Sequence, residues 1–103
     1  MEEYFKDKFD NTIKLTDKRW NHIIKEHLEV EIYKKKLFDV LKNPDLIKRS
    51  KRDKDTFLYY RYYKSIFKGK YLLVVARTKN NPTLLTCYIT DRIKQGDLIW
   101  KKD

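Results

Sequence analysis

Histidine titrates near neutral pH, so His22 and His27 are the natural candidates for moving a proton. Arg61 and Arg77 are the second pair. Each interrupts an apolar or aromatic run, where a guanidinium is costly unless it is paired, solvated or holding an anion. Tyr88 and Thr90 lie two residues apart and place hydroxyls on one face of any strand through them. Together these side chains describe acid–base chemistry on a bound anion. A metal centre is the poorer reading. Paired ligands on a helix want a spacing of four, and the spacing of five here splays the imidazoles by about 140 degrees. The plainer readings are an arginine paired with a carboxylate, a core histidine bonded to backbone, and a surface histidine.

Three strands must position the arginines and hydroxyls. Thr56–Lys64, Lys70–Thr78 and Thr83–Thr90 are rich in β-branched and aromatic residues, and Gly69 and Asn80-Asn81-Pro82 mark the turns between them. Short connections predict an antiparallel meander. Period-two alternation forms apolar rows from Leu72, Val74 and Ala76 and from Leu85, Cys87 and Ile89. With those rows inward, Arg61, Arg77, Tyr88 and Thr90 are expected together on the opposite face. One slipped residue would separate them.

The histidines belong to a helix. Thr16 offers an N-cap hydroxyl and Asp17 a negative charge in the first turn. Trp20, Ile23, Ile24 and His27 then recur at the spacing of a buried stripe, which turns His22 outward. A second helix is predicted over Glu29–Lys42, with Val30, Tyr33, Leu37, Val40 and Leu41 on its apolar side and Asn43-Pro44 as its stop. Residues 1 to 9 read as a short helix or an ordered arm, Asn11–Leu15 as a brief edge strand, and Asp45–Ser50 as a short strand. Leu98-Ile99-Trp100 reads as a final strand or docking tail. The expected architecture is α+β: two N-terminal helices packed on an approximately four-stranded antiparallel sheet.

At 103 residues the chain is one domain, and 41% apolar with 15% aromatic content suffices for a core. Two glycines and two prolines argue against long disordered linkers. No apolar run approaches the roughly 20 residues that span a bilayer, and the acidic start is unlike a signal peptide. Cys87 is the single cysteine, so no internal disulfide forms, and a cytoplasmic setting without a membrane partner is expected. The formal net charge of +10 suggests a polyanionic partner, nucleic acid ahead of a membrane surface. A lysine-rich surface serving only solubility is the alternative. Between Lys34 and Lys54 nine basic residues face three acidic ones. Arg49, Lys51 and Arg52 in the basic loop, Arg92 and Lys94 after the last strand, and Tyr60 as a stacking ring are the candidate substrate-binding residues.

Five strings, taken in order, carry a resemblance. They are Arg19-Trp20-Asn21-His22-Ile23 with His27-Leu28-Glu29, then Pro44-Asp45, then Tyr59-Tyr60-Arg61, then Val74-Val75-Ala76-Arg77, and finally Tyr88 to Gly96. From about Leu15 to Trp100 the chain resembles a phage-type nuclease domain of the barnase–EndoU–colicin–RelE superfamily. A proline that often follows the second histidine in that pattern is replaced here by Leu28. The resemblance implies a RelE- or barnase-like fold and a metal-independent endoribonuclease without cofactors, often deployed as a toxin. It maps the family's helix histidines to His22 and His27, its strand arginines to Arg61 and Arg77, and its hydroxyl to Thr90. It also implies RNA as substrate and an antitoxin or immunity protein as partner. In such chemistry the RNA 2′-hydroxyl attacks the adjacent phosphate, a base takes its proton, and cations hold the developing charge. A non-catalytic nucleic-acid-binding module, or an interaction domain for an acidic partner, is the alternative.

Overall fold

Phe5, Ile13 and Leu15 are buried, and burying them draws the first sixteen residues into a hairpin. Its strands, β1 (Glu2–Lys6) and β2 (Thr12–Thr16), pair antiparallel. The computed structural model describes all 103 residues, and this hairpin already departs from the expected arm and lone edge strand. After it come α1 (Asp17–Glu26), a 3₁₀ segment (Leu28–Tyr33) and α2 (Lys36–Lys42). Strands β3 (Leu46–Arg49), β4 (Thr56–Tyr63), β5 (Lys70–Arg77), β6 (Thr83–Thr90) and β7 (Leu98–Lys101) follow.

All seven strands join one sheet in the order β1-β2-β6-β5-β4-β3-β7, curved into a half-barrel. Every pairing is antiparallel except β2 with β6, which meet in parallel at Lys14 and Thr83. The expected pair of helices on a four-stranded antiparallel sheet is therefore wrong: the sheet is mixed, has seven strands and dominates the fold. The added strands lie toward the two ends of the chain, where β1 was expected as a short helix or arm, β2 as a lone edge strand and β7 as a final strand or docking tail. Their apolar residues are few and interleaved with charge, so they hold as strands only by pairing with partners far along the sequence. The three-strand meander over β4, β5 and β6 is as expected.

The single helix expected over Glu29–Lys42 is also broken. A 3₁₀ turn eclipses residues three apart; here it sets Val30 and Tyr33 toward the core and leaves Ile32 exposed. The chain re-forms as α2 only at Lys36, burying Leu37, Val40 and Leu41 and ending at Asn43. Helix α1 is capped as expected, Thr16 Oγ1 accepting the N–H of Arg19 at 3.0 Å. No helix is long and apolar enough to cross a membrane.

The helices cover one face of the sheet. Ile47, Tyr59, Leu72, Val74, Ala76, Leu84 and Cys87 pack there with Trp20, Ile23 and the α2 residues. The opposite face has no helix, yet Leu46, Leu58, Tyr60 and Leu73 are buried on it. Tyr71, Val75 and Tyr88 pack against them, and above Tyr60 runs the segment 91–97. It leaves β6, crosses the sheet to reach β7 beside β3, and is held midway where the backbone N–H of Lys94 donates to the Tyr60 hydroxyl at 2.9 Å. Beyond it, the N–H of Arg49 donates to the carbonyl of Asp97 at 2.8 Å. Gly96 is required at this crossing, because a Cβ there would collide with the Arg49 carbonyl oxygen.

Candidate functional site

The meander register decides which candidate residues meet. Tyr59 opposes Val74, and Val74 opposes Cys87, so Phe57, Tyr59, Arg61 and Tyr63 line the helix-covered face. Arg61 opposes Leu72, whereas Arg77 opposes Thr56, five rungs away and on the other face. The expected pairing of the two arginines on one face does not occur. The Arg61 guanidinium donates to the carbonyl of Asn43, the residue that caps α2, and lies 5.5 Å from the Tyr63 ring centroid. Arg77 is exposed at the strand end, near enough to Asp53 to help hold that carboxyl below its usual range, behind hydrogen bonds from the Asp55 N–H and Thr56 hydroxyl.

A β-bulge at Leu85 separates the two halves of β6. It turns Leu84 inward, fully buried against the core, although simple alternation assigns Leu84 to the row of Thr86, Tyr88 and Thr90. Leu85's carbonyl faces the edge, where Arg19 Nη1 of α1 reaches it at 3.5 Å. Past the bulge, Thr86 and Tyr88 project onto the open face, opposite Val75 and Leu73.

There they form the floor of a cleft of ≈ 360 Å³ with Leu58 and Val75. Ser50, Lys51 and Arg52 make one wall and Lys94 and Gln95 the other. Lys51 Nζ donates to Gln95 Oε1 at 3.0 Å, joining the walls. Three cations and no carboxylate line the cleft. Lys94 Nζ stands 5.5 Å from the Tyr88 ring centroid. His27, at the C-cap of α1, brings its imidazole over the sheet edge onto Tyr88, with centroids 5.1 Å apart and planes 25° from parallel. The imidazole is 34% exposed and has Nδ1 3.8 Å from Glu29 Oε2. Tyr60 supports the arrangement from below. Burial raises its phenol above the ordinary range, partly opposed by the hydrogen bond it accepts from Lys94.

Of the sequence candidates, Tyr88, Lys51, Arg52 and Lys94 line one cleft, while His27 adjoins it by stacking on Tyr88 and Tyr60 by its bond to Lys94. The others do not. His22 is exposed and pairs with Glu26 at 2.9 Å. The Thr90 hydroxyl is spent on the turn that launches the crossing segment, accepting the Arg92 N–H at 3.1 Å. Arg92 itself is exposed and outside the cleft. Arg49 opposes Phe57 on the helix-covered side and reaches Asp97 at 4.0 Å. Ser50, Thr86 and Gln95 are cleft residues that sequence reasoning did not single out. Thr86 could have been found from its place in the Tyr88 row; Gln95 carries no such signal, because a loop crossing sets its position. No three His, Cys, Asp or Glu side chains gather where they could hold a metal ion.

Comparison with family models, with curated proteins and with solved structures returned no match.

Proposed function

We propose that the open-face cleft binds single-stranded RNA and cleaves it as a metal-independent endoribonuclease. The observation that carries this reading is an apolar and aromatic floor between walls bearing three cations, with one histidine stacked on the floor's tyrosine. A base rests on the floor while its phosphate meets Lys51, Arg52 and Lys94. His27 takes the proton of the 2′-hydroxyl as that oxygen attacks phosphorus. The lysines and arginine hold the charge developing on the non-bridging oxygens. The Tyr88 phenol protonates the departing 5′-oxygen, leaving a cyclic phosphate and a 5′-hydroxyl. This scheme replaces the strand arginines with the cations of the cleft walls. RNA is the natural polyanion for a chain of net charge +10, in the cytoplasm. An acidic antitoxin or immunity protein that covers the same cations is the matching protein partner, in keeping with a toxin role.

One observation favours a second reading, a binding module without catalysis: the Arg61 guanidinium is committed to the α2 cap, so no paired arginines face the cleft. Incubation with an unstructured RNA and with tRNA in EDTA separates the two. Fragments ending in cyclic phosphate from the wild type, absent with His27→Ala, are expected. Intact RNA that shifts on a gel supports the binding module. Intact and unshifted RNA removes nucleic acid from consideration.

A further inference from the structure

We infer that the cleft reads the base it holds, preferring a nucleobase with a keto oxygen (uracil, guanine) to one with an amino group at the same position (cytosine, adenine). The inference rests on the RNA reading above and is carried by the hydrogen-bonding inventory of the walls. Lys51, Arg52 and Lys94 can only donate. Gln95 has two donors and an acceptor oxygen, one lone pair of which is taken by Lys51 Nζ at 3.0 Å. An ammonium cannot accept, so that contact fixes the sense of the carboxamide and leaves its NH2 as the group offered to a ligand. The Ser50 hydroxyl accepts the Arg52 N–H at 3.2 Å, which occupies part of the acceptor capacity left on that wall.

The cleft walls therefore present donors, and the ligand must bring acceptors. A phosphate does so at one end. At the other, the Gln95 NH2 meets an acceptor in O4 of uracil or O6 of guanine and a donor in N4 of cytosine or N6 of adenine, so the preference belongs to the one base position that faces Gln95. The floor of Leu58, Val75 and Tyr88 takes the flat face of any base, and the Thr86 hydroxyl beside them can donate or accept, so neither discriminates.

Single-stranded 2′-deoxy oligomers of uracil and of cytosine, equal in length and lacking the attacking hydroxyl, test binding apart from cleavage. Fluorescence anisotropy at fixed salt is expected to give the uracil oligomer the lower Kd by about fivefold, the scale of one hydrogen bond made against one lost. Gln95→Glu retains a partner for Lys51 and offers its second oxygen as an acceptor. That variant should lose the preference or turn it toward cytosine, and Lys51→Met, which frees the Gln95 oxygen, should narrow it. A uracil preference unchanged in Gln95→Glu overturns the assignment to Gln95. Equal affinity of the wild type for both oligomers, with binding still sensitive to salt, overturns base reading and leaves RNA binding standing. Failure to bind either oligomer overturns both.

Discussion

The phenol of Tyr59 donates a 2.6 Å hydrogen bond to Oδ2 of Asp7, tying the β1–β2 turn to the helix-covered face of β4. Asp7 is fully buried, and its carboxylate also accepts the N–H groups of Phe9 and Asn11 and the Asn11 side-chain amide. Tyr59→Phe leaves three of the four donors in place and should cost about 1–3 kcal/mol. Asp7→Ala strands all four and should cost more. Urea unfolding midpoints measure both, and an Asp7→Ala protein as stable as the wild type would deny this contact a role in docking the hairpin.

Two buried groups make the fold sensitive to alkali. Burial first, and then the Asp7 carboxylate, raise the Tyr59 phenol above its ordinary value of 10.0. Burial first, and then the Glu29 charge, push the Cys87 thiol from 9.0 up to about 12. Both are protonated and neutral in the folded protein. Their contribution is therefore complete below the unfolded values and is lost as the unfolded chain ionises while the folded one does not. Stability should hold steady up to about pH 9 and then fall, with Cys87 contributing to the decline between about 9 and 12. In a Cys87→Ala, Tyr59→Phe double variant, urea midpoints should decline less steeply over that range.

Arg61 and the cations of the cleft walls should separate in their effects. Arg61→Ala removes a charged donor from the α2 cap and should lower stability by about 1–3 kcal/mol while leaving RNA affinity within about twofold. Lys94→Ala and Arg52→Ala should instead weaken RNA binding and each flatten the dependence of log K on log salt by about 0.7 for a single strand. If Arg61→Ala alone changes the salt dependence, the cleft is in the wrong place.

Gly96→Ala tests the crossing segment. The added Cβ meets backbone rather than a movable side chain, so the segment must lift from β3. Lower thermal stability and weaker RNA binding should appear together, since the same residues seat β7 and form one wall of the cleft. Gly96→Ala with full stability and full binding would show that the wall stands without that contact.

How much of this was legible follows from which residues depend on distant partners. The meander, the Thr16 cap and the stop at Asn43-Pro44 are local, and period, capping and proline sterics suffice to find them. Strand β1 was not legible. Phe5 is its one buried residue, and the partners that make it a strand are the β2 residues and the α2 face. The arginine pairing failed because the first row of the meander faces the helices through Tyr59, which packs in the core and meets the buried Asp7 far upstream, rather than away from them. Leu84 was misassigned because a bulge adds one residue that alternation cannot see. His27 and Tyr88 meet only because α1 lies along the edge of β6, a relation that no spacing along the chain encodes.

Segment 91–97 also gives the cleft a place in time. Its wall is made from residues that follow every strand but the last, and it is stretched into place only when β7 finds β3. Without β7 on β3 the meander and both helices keep all their pairings, but the cleft has no second wall and no seat for Lys94. The cleft is therefore complete only once β7 has docked on β3.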